Sequence, residues 1–264
     1  MIIDGLLIFW ILLILSLIAA FLDSAVGIGY GTLLTPLLIL LNLPILEVIP
    51  AVLFAQIIAA FITALYYHIL GNVTFTATSD DTKIALNLSL AGIMGAIIAV
   101  TIFLSFFIVH LDLLQVYIGI ALILIGILVL TKIHWRITPG RIFAIGLIAA
   151  INKGISAGGY TPIVAGGQIL HGRNGKRAIG TSMVSETVTS LIAVILYITF
   201  GHLILDPLFL NLALPLVLGT LVGTPLASYF VKRTSSHRMM LLIGSTIIIL
   251  GMFTLLKTIF TGSP

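Results

Sequence analysis

Three ionisable side chains stand in otherwise apolar sequence. Asp23 separates the charge-free runs 5–22 and 24–46, Lys153 is isolated between Arg141 and Arg173, and Glu186 precedes the charge-free run 187–205. A lysine in such surroundings can compensate an anion stripped of its water. A neighbouring carboxylate can exchange a proton or bind a cation. Asp23 and Lys153 lie in glycine-rich breaks, Asp23-Ser-Ala-Val-Gly-Ile-Gly-Tyr-Gly31 and Asn152-Lys-Gly-Ile-Ser-Ala-Gly-Gly-Tyr160. A helix restarting near Gly29 or Gly159 would aim free N–H groups and a positive dipole end at the break. Ser24, Ser156, Thr161, Thr181 and Ser182 add hydroxyl donors, Tyr30 and Tyr160 can line the same space, and Gln56 is the polar counterpart of Glu186. The expectation is an anion seated between the two break tips, held by Lys153 and these dipoles. Glu186 or Asp23 would couple its movement to a proton or sodium ion. The competing expectation is a permanent structural ion pair between Lys153 and Asp23 or Glu186.

The elements that must position these groups are membrane helices. The chain has 264 residues, 60% of them hydrophobic, and only 12 Lys+Arg and 8 Asp+Glu. Its mean hydropathy is +1.30. A charged fraction of 8% is far below that of soluble domains, about 25%. Charge-free runs at 48–79, 84–111, 113–131, 207–231 and 239–256 each reach the length of a transmembrane helix. Segments of alternating polarity, the mark of a membrane β-barrel, are absent. The N-terminal segment lacks a basic region and a small-residue cleavage site, and is expected to be a retained helix.

The predicted fold is all-α and polytopic. A first repeat covers 1–131, with a hairpin at 5–41 and spans at 46–70, 84–108 and 112–131. A basic linker follows at 132–141. A second repeat covers 142–264, with a hairpin at 142–170 and spans at 177–200, 208–230 and 238–258. Apolar pieces flanking the breaks can be as short as about 10–13 residues, too short to cross about 30 Å of hydrocarbon, so each hairpin is expected to be made of, or to contain, half-helices. If each hairpin enters and leaves on one side, the loops 71–83, 131–141, 171–177 and 231–238 share a face. They carry all the Lys and Arg except Lys153 and Lys257. By the positive-inside rule that face is cytoplasmic, both termini are outside, and the protein sits in the inner or plasma membrane.

Each unit makes an odd number of crossings, so the second is inserted upside down relative to the first. A shift of 130 residues independently pairs Gly29 with Gly159, Tyr30 with Tyr160, Tyr67 with Tyr197 and Gly71 with Gly201. The same shift sets Asp23 opposite Lys153 and Gln56 opposite Glu186. Inverted repeats with broken helices are the architecture of secondary transporters, which bind substrate near the midplane.

The run Lys176-Arg-Ala-Ile-Gly-Thr-Ser-Met-Val184 after a break, a short helix and a basic loop resembles the sulfite exporter TauE/SafE family. Tyr197-Ile-Thr-Phe-Gly-His-Leu203 fits the same pattern, and Tyr66-Tyr-His-Ile-Leu-Gly-Asn-Val73 is similar to it in the first half. The first half departs from the pattern at Val48-Ile-Pro-Ala-Val52, where Gly-Thr-Ser has no equivalent. The resemblance implies a membrane carrier of sulfur-containing anions such as sulfite or organosulfonates, and no enzyme activity or cofactor. An anion channel is the first alternative, and a membrane enzyme or accessory subunit the second.

Other signals carry little. Gly154-Ile-Ser-Ala-Gly158 matches a hydrolase nucleophile elbow, with Asp206 and His237 in order, but the elbow needs a preceding strand. The histidines, among them His68, His110, His134, His171 and His202, fall at span ends or in loops with no i, i+4 pair, so no metal site is expected. Trp10 and Trp135 suit the membrane interface. The absence of cysteine excludes disulfides and thiolate chemistry, and no free basic face points to nucleic acid. Oligomeric state is not encoded in any of these features.

Overall fold

A computed structural model describes residues 2–130, 138–170, 172–201, 207–230 and 236–261. Lys132, Arg136, Lys232, Arg233, Trp135, His134, His171, His202 and Asp206 lie outside the described residues, as do the side chains of His237 and Arg238. The described chain is entirely helical, as its composition predicts. The helices are α1 (Ile2–Val26), α2 (Tyr30–Leu40), α3 (Ile45–Ile69), α4 (Asp80–Ile102), α5 (Leu111–Leu130), α6 (Pro139–Ser156), α7 (Tyr160–Leu170), α8 (Gly175–Phe200), α9 (Pro207–Phe230) and α10 (Ser236–Thr261). A π-helical turn, Phe103–Phe107, extends α4. Among the described residues six helices are long and apolar enough to cross a membrane. By contrast α2 and α7 have 11 residues each, about 16 Å of helix.

Close packing follows from small residues. Gly95, Gly146 and Gly154 seat α4 against α6, with Ala150 and Ala99 where larger side chains would collide. Gly219 and Gly223 seat α9 against Leu13 to Leu17 of α1. Gly119 and Gly126 of α5 lie against Gly251 and Gly244 of α10, so these two helices run antiparallel. In lipid, where apolar burial between helices gives no drive, such backbone proximity is the main source of helix affinity.

The two halves repeat the same local geometry. Gly27 and Ala157 both have positive φ, as do Gly29 and Gly159. The amides of Gly27 and Ala157 donate to the carbonyls of Asp23 and Lys153, at 2.6 and 2.7 Å. The half-helices also end alike. Asn42 and Gly172 are left-handed, and the amides of Leu43 and Arg173 reach back to the carbonyls of Leu38 and Gln168. Every one of these equivalences spans 130 residues, as do the helix bounds of α2 and α7.

Ala157 is the residue at this turn for which a left-handed conformation is strained, since its Cβ crowds the following carbonyl. Gly31 has the opposite constraint: a Cβ there would lie 1.8 Å from the carbonyl oxygen of Ala157. Thermal unfolding in detergent should therefore separate two small changes at one contact. Ala157→Gly is expected to stabilise by about 1 kcal/mol, and Gly31→Ala to destabilise by about 1–3 kcal/mol or to prevent folding.

Candidate functional site

The two breaks meet in the protein interior. Gly31 touches the Ala157 carbonyl, Gly158 packs on the backbone of Thr32, and Gly27 abuts the Thr161 methyl and Ile179. The Gly159 amide donates to Thr32 Oγ1 at 2.8 Å, joining the halves directly. The tips are in backbone contact, which leaves no room between Gly31 and Ala157, where the anion is expected from sequence.

On the first side Asp23, at the end of α1, folds over the start of α2. Its Oδ1 accepts the Gly29 amide at 2.8 Å and its Oδ2 accepts Gln56 Nε2 at 3.1 Å. Gln56 Oε1 in turn accepts the Gly31 amide at 3.2 Å. The positive end of α2 thus already has an anion, supplied by its own chain. The other end has a cation: Lys257 Nζ donates to the Ile39 carbonyl at 2.5 Å and to Asn42 Oδ1 at 2.6 Å. Both poles of this half-helix dipole are compensated.

The second side is built on the same plan with different chemistry. Lys153 occupies the place of Asp23, and Glu186 that of Gln56. Lys153 Nζ donates to Glu186 Oε1 at 2.8 Å, and both side chains are 1% exposed. The Thr161 hydroxyl donates to Glu186 Oε2. Glu186 is the twelfth residue of the 26-residue α8, so the pair lies about halfway along a spanning helix. Asp23 is within electrostatic reach of both Lys153 and Glu186. With both carboxylates ionised, these three residues carry one negative charge in excess.

The remaining predicted residues divide by partner. Ser24 Oγ meets Thr63 Oγ1 at 2.7 Å, and Tyr30 Oη meets Ser16 Oγ at 2.8 Å. Ser156 Oγ donates to the Asn152 carbonyl and accepts the Gly158 amide. Ser24 and Tyr30 thus join α1 to α3 and α2, while Ser156 caps the end of its own helix. Thr181 and Ser182 bond Gln168, at 3.1 and 3.2 Å, one turn below Glu186. Tyr160 Oη is fully buried and has no hydrogen bond of ordinary geometry, although Ser185 and Thr189 are beside it.

Several participants escaped sequence reasoning. Asn152 Nδ2 donates to the Gly158 carbonyl at 2.8 Å while its Oδ1 accepts from Tyr117. Thr32 and Gln168 bond as described, and Ser185 and Thr189 extend the hydroxyl face of α8. That face was readable, since positions 181, 182, 185 and 189 recur at helical spacing. Thr32 and Asn152 carry no such signal. Their partners depend on how the breaks pack.

A polytopic helical membrane protein with paired half-helices and a charge cluster at their junction is the class this geometry defines. Residues 12–258 match the family model described as Sulfite exporter TauE/SafE, and the chain belongs to that family of membrane transporters of sulfur-containing anions. Comparison with curated proteins and with solved structures gives no match.

The ion pair makes a stability prediction. Removing one partner strands a buried charge, typically at a cost of about 3–5 kcal/mol, whereas removing both does not. Lys153→Met and Glu186→Gln should each lower the unfolding midpoint in detergent, and the double variant should recover most of the loss. Additive losses in the double variant would show that the two groups are not coupled.

Proposed function

We propose that the chain is a secondary carrier of a small sulfur oxyanion or organosulfonate, working by alternating access with a proton as coupling ion. The observation that carries this reading is the buried Lys153–Glu186–Thr161 cluster beside the start of α7. In the empty carrier Glu186 supplies the anion that Lys153 requires. A proton on Glu186 releases the Lys153 ammonium and the Thr161 hydroxyl, and the substrate oxyanion takes the vacated place. Both forms keep the Lys153 charge compensated, so neither leaves the ammonium unpaired in a closed state. A sodium ion would lie against the Lys153 ammonium and be repelled by it, which favours the proton. Tyr160 Oη and the hydroxyl face of α8 provide donors for the anion's remaining oxygens.

Two repeats of opposite orientation suit this mechanism, because exchanging their conformations moves access from one side to the other. The antiparallel packing of the equivalent helices α5 and α10 supports that inversion. So does the start of α8, where Gly180 lies against Tyr67 near the end of the equivalent α3. Lys83, Arg173 and Arg177 line one cavity, which supports a single basic face, and the positive-inside rule makes it cytoplasmic.

Sulfite flux into proteoliposomes tests the site. Lys153→Ala loses a charge-assisted contact of about 1.5–3 kcal/mol and is expected to slow flux by roughly 10- to 100-fold. Glu186→Gln is expected to remove the pH dependence of whatever flux remains. Wild-type flux in correctly inserted Lys153→Ala protein would defeat the proposal. Orientation has its own test, since single cysteines are unambiguous in a chain that has none. Thr78→Cys and Asn174→Cys should react with an impermeant maleimide only from the cytoplasmic side.

A further inference from the structure

Away from the ion pair, α4, α6 and α8 all begin around one open cavity of about 780 Å³. Each starts with a side-chain cap: Ser79 accepts the Thr82 amide, Thr138 the Arg141 amide and Asn174 the Lys176 amide. Three positive helix ends therefore face the same space. Lys83, Arg173 and Arg177 line it, against Asp80 and Asp81, which leaves one positive charge in excess. Lys83 and Asp80 form an exposed pair at 3.7 Å, of the kind that contributes little in water.

The pair between Arg173 and Asp81 is different. Asp81 is 3% exposed, and its Oδ2 also accepts the Thr74 amide at 2.9 Å. Arg173 donates to Asp81 Oδ1 through Nη2 only. Among the described residues its Nε is buried with no partner. A guanidinium holds carboxylates and oxyanions best with two parallel N–H groups, so this fork is half used. A guanidinium with a donor still unused thus lines a cavity with an excess of positive charge.

The cavity also leads inward. Ile142 is shared with a small void lined by Leu88, Val164 and Gln168, with room for about one water molecule. Gln168 bonds Thr181 and Ser182, which stand one turn from Glu186.

We propose that this vestibule is a recruitment site for a small soluble oxyanion, and that the Arg173–Asp81 pair is its latch. The arriving anion takes both N–H groups of the Arg173 fork and displaces Asp81, which keeps its bond to Thr74. Arg177, exposed at the rim, adds attraction. The site precedes the ion pair on the path and rests on the reading of the chain as an anion carrier.

Calorimetric titration of sulfite into protein in phosphatidylcholine nanodiscs separates the two sites. Lys153→Ala is expected to retain one weaker site. Adding Arg173→Gln should weaken that site by at least about tenfold, the loss of one charge-assisted bond. Adding Asp81→Asn instead should tighten it several-fold, because the internal competitor is gone. A purely structural pair would give the opposite, with Asp81→Asn as damaging as Arg173→Gln. If Arg173→Gln does not fold, Arg173→Lys and Arg177→Gln keep the test open, each expected to weaken binding with normal gel filtration. Unchanged binding in these variants overturns the vestibule while a wild-type site lost with Lys153→Ala leaves the carrier reading intact. Silence of the wild-type protein overturns the carrier reading itself. Phosphatidylglycerol that co-purifies with wild type but not Arg173→Gln, and blocks sulfite in the discs, would make this a lipid-headgroup site and overturn the proposal.

Discussion

A helix that stops inside an apolar medium leaves amides and carbonyls with no water to satisfy them, and the structure is organised around that constraint. Both breaks are answered by side chains, some from the helix that ends there and some from other helices. At the first, Tyr67 Oη donates to the Ser24 carbonyl, and Asp23 and Gln56 accept the amides of Gly29 and Gly31. At the second, Tyr197 Oη donates to the Gly154 carbonyl, Asn152 to the Gly158 carbonyl, and Thr32 accepts the Gly159 amide. The long tyrosines on α3 and α8 are fully buried for this purpose. The packing of α3 and α8 against the breaks follows from the same need.

The two breaks share their local geometry and differ in chemistry. Asp23 and Gln56 close the first break as a self-contained cap, with Lys257 at the far end of α2. Lys153 and Glu186 put two opposite charges at the equivalent points. The helices that carry the partners differ in the same sense. Thr181, Ser182, Ser185 and Thr189 on α8 correspond to Ala51, Val52, Ala55 and Ala59 on α3. The first break is closed by neutral and acidic partners, and the second is closed around an ion pair. The mouth formed by the starts of α4, α6 and α8 lies at the end of α8 from which Glu186 is reached.

Much of this was legible in sequence because it depends on local quantities. Run length and charge density locate membrane helices. Glycines that permit positive φ mark the breaks, and a constant offset of 130 residues reveals the repeat. The pairing of polar groups was less legible. Lys153 had two plausible acids, Asp23 and Glu186, and spacing could not choose between them. Ser24, Ser156 and Tyr30 read as site residues because hydroxyl and glycine occur together there, while their partners Thr63, Asn152, Gly158 and Ser16 carried no signal of the pairing.

The amino-acid sequence by itself determined that the chain is a bundle of membrane helices, where two of them break, and which charges must be accommodated in the interior. Hydrophobicity and backbone permissiveness act over a few residues, so they are written in order along the chain. Only the tertiary structure decided that the break tips touch, that Glu186 and not Asp23 neutralises Lys153, and that Arg173 reaches Asp81. Those partners are 33 and 92 residues apart. Their meeting is set by how closely glycine and alanine let α4, α6 and α8 approach, which is a property of the packed bundle.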